Sequence, residues 1–418
     1  MFVVLLTVLA LSYAILVFKD QKMATLLLLA LLPTYLIRFS VGPIPSTLLE
    51  LFVAILLAGS FVKAKAWKMD FLRTMGPYRV PILLLLAASC FAVAFSPDPF
   101  GALGIWKAFF AEPIFLFFVF RFTLTEREDF VRGLWILGAV TAGIAAFALV
   151  QSATGLAIPP PWDVEVRATS IFDFPNAVGL FVAPIVAALV VIAVAYKGSA
   201  QRPTPTARTR VILAVIAAFG LLACFLSQTE AVYIAIPAAL FIVLFASRAS
   251  TKTKLSIILP CIILAAIAFG VSSTVREKLS LQDTSGQVRL SQWRETSMLL
   301  KDHPLVGAGL NGYPIVFEKY HDPRLYEIFQ YPHNILLNFW VELGILGVIA
   351  LIVFILSVGK VVVLRRDDVL VLAGAAALLT MCIHGVVDVP FFKNDLAILT
   401  VFFLAMTLVR PPAAKSQS

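Results

Sequence analysis

Apolar runs long enough to cross a bilayer recur from one end of this chain to the other, and they decide its class before any motif is considered. They fall roughly at 2–18, 23–38, 44–62, 80–96, 100–120, 130–152, 174–196, 211–228, 230–247, 255–273, 333–358, 368–387 and 394–409. A hydrocarbon core about 30 Å thick is crossed by about 20 apolar residues in a helix. Within it every backbone N–H and C=O must be satisfied inside the segment, so such runs fold as helices, whereas a barrel would show short alternating strands. The expected fold is therefore an all-α integral membrane protein, a bundle of about 12–13 transmembrane helices. Of 418 residues, 61% are hydrophobic and 14% charged, against about 25% charged in a soluble domain. This excludes a soluble enzyme, a secreted disulfide scaffold and a disordered chain. Cys90, Cys224, Cys261 and Cys382 all lie in apolar stretches without ligand-like spacing and read as small core residues. Met1 opens an apolar run with no basic leader and no clear cleavage site, so a cleaved signal peptide is not expected.

The net charge of +9 comes from loops, and their alternation gives an orientation. Basic residues cluster at Lys63 to Arg79, Arg121 to Arg132, Lys197 to Arg210, Arg248 to Lys254 and Lys360 to Arg366. These connections alternate with the runs and fall on one side, the cytoplasmic side by the positive-inside rule; nucleic acid is not an expected partner. The opposite loops are poor in basic residues: 97–99 has none, and 153–173 has only Arg167. Segment 274–332 is the exception, with seven basic and seven acidic residues, and long balanced loops translocate regardless of charge. The chain thus divides into N-terminal helices (1–273), a long outer loop (274–332) and C-terminal helices (333–418). An odd number of helices puts Met1 outside. No internal repeat is evident, which argues against the repeat-built transporters.

Function is expected in the outer loop. Gly286–Pro304 carries Val288, Trp293, Met298 and Leu299 at helical spacing, which predicts an amphipathic helix lying flat in the membrane interface. Gly307 to Tyr313 is glycine-rich; a plain turn is the first expectation and a phosphate cradle the second. His333 then stands at the mouth of an apolar helix, after Pro332 and before Asn334. A neutral imidazole there can take up a proton at physiological pH, with Asn334 capping the helix or orienting the ring. A histidine that merely caps a helix fits the same residues. Glu342 and Glu50, inside apolar runs, are expected to bond a neighbouring helix or loop.

His333-Asn334, nine residues, Gly344, two residues, Gly347 resembles the signature of the O-antigen ligase and polymerase family. Arg289 with Trp293, followed by Asp302-His303-Pro304-Leu305-Val306-Gly307-Ala308-Gly309, is similar to the segment that precedes it in that family. Arg167-Ala168-Thr169-Ser170 with Pro175-Asn176, and Lys107 with Glu112-Pro113, match more loosely. His384 and Asp388 sit where the family often has polar residues.

The resemblance implies a glycosyltransferase in the bacterial inner membrane with its active site facing the periplasm. It would move a glycan from a polyprenyl-diphosphate carrier to a hydroxyl acceptor, lipid A-core in a ligase, by an inverting reaction needing no cofactor or metal. His333 would be the general base. Arg289, Arg167 and Lys107 would bind the diphosphate, whose developing charge suits pre-placed cations, arginine best. Arg38 and Arg294 could substitute, and Asn334, Glu230, His384 and Asp388 would support the site. His384 and Asp388, one turn apart, could share a helix face. Lys107 could equally snorkel to the interface or pair with Glu112, and Arg167 could pair with Asp163 or Glu165. One departure stands out: relatives carry Ser-Arg after the eighth span, where this chain has Ser227-Gln228-Thr229-Glu230. Glu230 would repel a diphosphate unless it pairs with Arg167 or Arg289 or binds acceptor hydroxyls. The polymerase-type spacing of arginine and glycine is absent, which leans toward a ligase. A polymerase or a protein O-oligosaccharyltransferase stays open within the family. A transporter of lipid-linked glycans or an envelope scaffold stays open outside it.

Overall fold

The computed structural model describes residues 2–42, 44–63, 70–195, 206–248, 250–252, 254–255, 259, 263, 270, 276–277, 280–324 and 326–411. Among them six helices are long and apolar enough to cross a membrane, and six more apolar helices are shorter. The chain is an all-α membrane protein apart from one short strand pair. Most of the run expected at 255–273 lies outside the described residues.

The helix Asn176–Ala195 is the most buried of the long ones and forms the centre of the bundle. It packs on Val369–His384 and Ala207–Leu226, with Arg127–Thr154 and Val232–Ala246 beside it. Ala, Val, Gly and Leu dominate this centre, and Gly179 and Gly220 let side chains of the facing helices approach where a Cβ would collide. Close approach through small residues is how helices associate where lipid removes the hydrophobic drive. A second apolar cluster joins Phe109, Phe110, Phe339, Phe391 and Phe392 at the end where the long loop docks.

Expectation and structure part near the N-terminus. The runs at 23–38 and 44–62 do not form two simple spans. The helix Gln21–Ala30 stops short, a tight turn of helix follows at Leu32–Leu36, and Arg38–Val41 pairs antiparallel with Ile44–Thr47. Pro33 and Pro45 lack the N–H that a continuing helix needs. The next helix, Leu48–Val62, starts at a capping box between Thr47 and Glu50.

Two ends of the bundle differ in chemistry. At one, Arg127 donates both terminal nitrogens to Asp368 at 2.8 Å, Arg365 donates to the same carboxylate at 2.7 Å, and Lys22 pairs with Asp129 at 3.0 Å. At the other end of the same helices stand His333 and Asp388.

Candidate functional site

His333 enters the site on unusual backbone. Asn334 caps the helix Ile335–Leu364, accepting from the Leu337 amide at 3.0 Å, as the sequence led one to expect. His333 itself has a φ of +46°, a left-handed conformation that costs a non-glycine residue about 1–3 kcal/mol and survives only where neighbours over-determine it. Four hydrogen bonds surround it: Gln292 to the Tyr331 carbonyl (2.8 Å), Trp293 to the Pro332 carbonyl (2.8 Å), the Asn334 amide to the Val386 carbonyl (2.9 Å) and the Ile335 N–H to the Gly385 carbonyl (2.6 Å). At about 1 kcal/mol net each, they suffice to hold that strain.

The turn after Val369–His384 brings Asp388 to the ring. Its Oδ1 lies 3.5 Å from His333 Nδ1, within ion-pair range though without the alignment of a full hydrogen bond. Burial alone would raise the Asp388 carboxyl, but His333, His384 and the Val389 amide outweigh it and hold the group well below the usual carboxylate range. It is therefore ionised at neutral pH. With Nδ1 facing this anion, the proton belongs on Nδ1 and the lone pair on Nε2. The imidazole is 30% exposed, and Phe329 meets it edge-on at 5.1 Å.

A polar chain runs on from the pair. Asn176, the first residue of the central helix, donates to Asp388 Oδ2 at 3.3 Å and accepts from Arg167 at 3.4 Å. Arg167 also donates to the Ser227 carbonyl at 3.2 Å and lies 5.0 Å from the Trp162 ring centre. Burial lowers its guanidinium below the usual arginine value, Glu165 and Glu230 oppose that, and Arg289 adds to it. Glu230 and Arg289 thus lie in the electrostatic neighbourhood of Arg167. Arg289 donates Nε to the Val387 carbonyl at 3.1 Å, and among the described residues its terminal nitrogens make no hydrogen bond.

Other expectations are placed differently. Lys107 sits on a π-helical turn, Lys107–Ala111, and pairs with Glu50 at 3.0 Å and Glu112 at 3.7 Å, so two carboxylates already match its charge. His384 is the last residue of its helix and buried, while Asp388 lies beyond that helix; they do not share a helix face, because Gly385 turns the chain first. Arg38 is exposed beside Asp173 at 3.8 Å. The loop helix spans Thr284–Asp302 and buries Gln292, Glu295, Thr296 and, from the predicted apolar stripe, Leu299 against the protein, while Val288 and Trp293 are half-buried and Met298 is exposed.

The glycine-rich turn is structural. Ala308 N–H donates to the Val341 carbonyl (2.6 Å), Leu310 N–H to the Ala92 carbonyl (3.1 Å) and Asn311 N–H to Glu342 Oε2 (2.6 Å), so these donors are spent on the bundle, while Gly307 and Gly312 donate within the loop. It wedges into a break at Gly344, where φ is +66° and a Cβ would lie 2.2 Å from the Leu305 carbonyl oxygen. This explains the glycine eleven residues after His333, and Glu342 bonds a loop as expected.

Two contributors were read only in part or missed. Trp293 belongs to the family-like segment and to the periodic apolar stripe, but neither assigns it a role, and its indole N–H is a site contact. Lys393 had no motif; its Nζ lies 3.2 Å from Tyr35 Oη and 4.2 Å from the Phe174 ring centre. Burial pushes its ammonium down while Asp395, Asp388 and Asp173 oppose. A basic residue directly before a helix at this end was the available signal.

Beside the site an apolar cleft is lined by groups including Phe109, Ile335, Phe339, Met381, Pro390 and Phe391. Among the described residues no group of three His, Cys, Asp or Glu is placed to hold a metal.

A search of curated proteins finds no match. Residues 213–352 match the family model described as O-antigen ligase, a stretch that holds Glu230, Arg289, Trp293, His333, Gly344 and Gly347. Arg167, Asn176 and Asp388 lie outside it and reach the site only through the fold. The chain is thus a membrane protein with a stretch, residues 213–352, that matches the O-antigen ligase family model.

Proposed function

We propose that this protein transfers a glycan from a polyprenyl-diphosphate carrier to a hydroxyl acceptor, lipid A-core first among them, at the periplasmic face of the bacterial inner membrane. The observation that carries this reading is the His333–Asp388 pair, with Arg289 and Arg167 gathered around it. His333 Nε2 takes the proton of the acceptor hydroxyl as its oxygen bonds to the anomeric carbon. The bond from that carbon to the diphosphate oxygen breaks, and the diphosphate leaves with the electron pair. Asp388 supports the imidazolium that forms, and the terminal nitrogens of Arg289 meet the developing negative charge, with Arg167 behind them. Lys107, already matched by Glu50 and Glu112, ranks third among the diphosphate cations. The apolar cleft at Phe339 and Phe391 suits an isoprenoid chain, whose polar head would then lie toward His333.

The test is a reconstituted transfer assay. Polyprenyl-diphosphate glycan is supplied with lipid A-core, with a second lipid-linked glycan, or with a protein acceptor, each with and without chelator. Transfer to lipid A-core that survives chelation and vanishes in His333→Ala is the expected result. Chain lengthening without that acceptor makes the protein a polymerase, and glycan on the protein acceptor makes it an oligosaccharyltransferase. Movement of lipid-linked glycan across the bilayer without transfer would replace the enzyme reading with transport.

A further inference from the structure

The loop helix Thr284–Asp302 grips the site through main-chain carbonyls. Arg289 Nε donates at 3.1 Å to the carbonyl of Val387, the residue before Asp388. Trp293 donates its indole N–H at 2.8 Å to the carbonyl of Pro332, the residue before His333. Positions four apart on a helix stand one above the other. One face of one helix therefore holds the peptide that leads into each member of the pair, and the separation of the two is set by a single rigid element.

Trp293 has the more demanding task, because His333 sits on left-handed backbone at φ +46°. Such a residue relaxes toward ordinary backbone if its flanking peptide is released. Rotation of the Pro332–His333 peptide would swing the Cβ of His333 and carry Nδ1 away from Asp388. We propose that Trp293 is a positioning residue for His333: its indole N–H fixes the Pro332–His333 peptide and thereby keeps the imidazole on Asp388 with Nε2 free. The proposal rests on His333 serving as the base of the transfer reaction. Trp293 itself acts through the backbone, since its one polar atom is taken by Pro332.

Two replacements test this in the full-length protein in liposomes. Trp293→Phe keeps an aromatic ring but has no donor. Substitution of Trp293 by 3-benzothienylalanine keeps the shape of the indole and puts sulfur in place of N–H, so it answers even where the phenylalanine variant folds poorly. Loss of one well-placed hydrogen bond predicts a fall in kcat of about tenfold, with donor KM and thermal midpoint nearly unchanged. Modification of His333 by diethylpyrocarbonate, followed by mass spectrometry, should become severalfold faster, and this reading needs no activity. An unchanged kcat and modification rate in the benzothienyl variant would overturn the proposal. So would a loss of kcat that comes with a lowered thermal midpoint and an unchanged modification rate. Should the wild type transfer glycan to no acceptor, the functional reading falls, and the modification rate alone decides whether Trp293 positions His333.

Discussion

Replacing Asp388 by asparagine removes the charge behind His333 and leaves the shape of the turn nearly intact. A unit charge pair 3.5 Å apart is worth roughly 5 kcal/mol at an effective dielectric of about 20. The ring is 30% exposed, and solvent screening brings the expected loss down to about 3 kcal/mol, or about a hundredfold in kcat. Asparagine also accepts either tautomer of the ring, including the one whose N–H faces the acceptor. The assay is glycan transfer at saturating donor and acceptor, with donor KM measured separately. Donor KM should change little, because the proposed diphosphate contacts lie on Arg289 and Arg167. The same substitution has a stability signature. The Asp388 carboxyl is held below its ordinary value in the folded state, so its contribution is fully present above the unfolded value of about 3.9 and is lost as pH falls through the folded one. Wild type should therefore be more stable than Asp388→Asn at neutral pH, with the difference shrinking in strong acid. Asp388→Asn with more than a third of the wild-type kcat would refute the pairing of the base with this carboxylate.

Three further outcomes follow from the geometry. Arg289→Ala should raise donor KM and cut kcat together, each by about tenfold or more, and Arg289→Lys should recover only part, since lysine gives a point charge rather than a paired fork; steady-state kinetics with varied donor checks this. Gly344→Ala must accept a positive φ and a Cβ lying 2.2 Å from the Leu305 carbonyl oxygen, a cost of about 3 kcal/mol or more visible as a lower thermal midpoint on size exclusion after heating. Lys107→Met should leave Glu50 and Glu112 uncompensated and lower stability while donor KM stays within about twofold, the pattern of a structural cation; a large rise in donor KM instead would restore Lys107 to the diphosphate site.

The membrane class of this protein was legible in the chain because crossing a bilayer depends on transfer energy summed over adjacent residues, a quantity that any run of about 20 residues carries by itself. The cap at Asn334 was legible for a similar reason, since a cap is a local demand met by particular residue types; Gly344 stood in the sequence only as part of the family-like signature, and its positive φ is set by the loop packed against it. Local patterns failed where a partner from elsewhere changed the outcome. Periodicity assigned Trp293 to an apolar face, but the carbonyl of Pro332 claims its N–H. For Lys107 the sequence offered Glu112 as a partner, but its nearer partner, Glu50, comes from a neighbouring helix. The site is the extreme case. His333, Arg289, Arg167, Asn176 and Asp388 come from separate segments, and the bond from Asn176 to Asp388 spans 212 positions of sequence. Only the packing of the central helix against Val369–His384 carries Asn176 to the turn beyond His384. Residue type and spacing supplied the candidates; which nitrogen of His333 faces a carboxylate, and which helix holds both residues in place, was decided by the bundle.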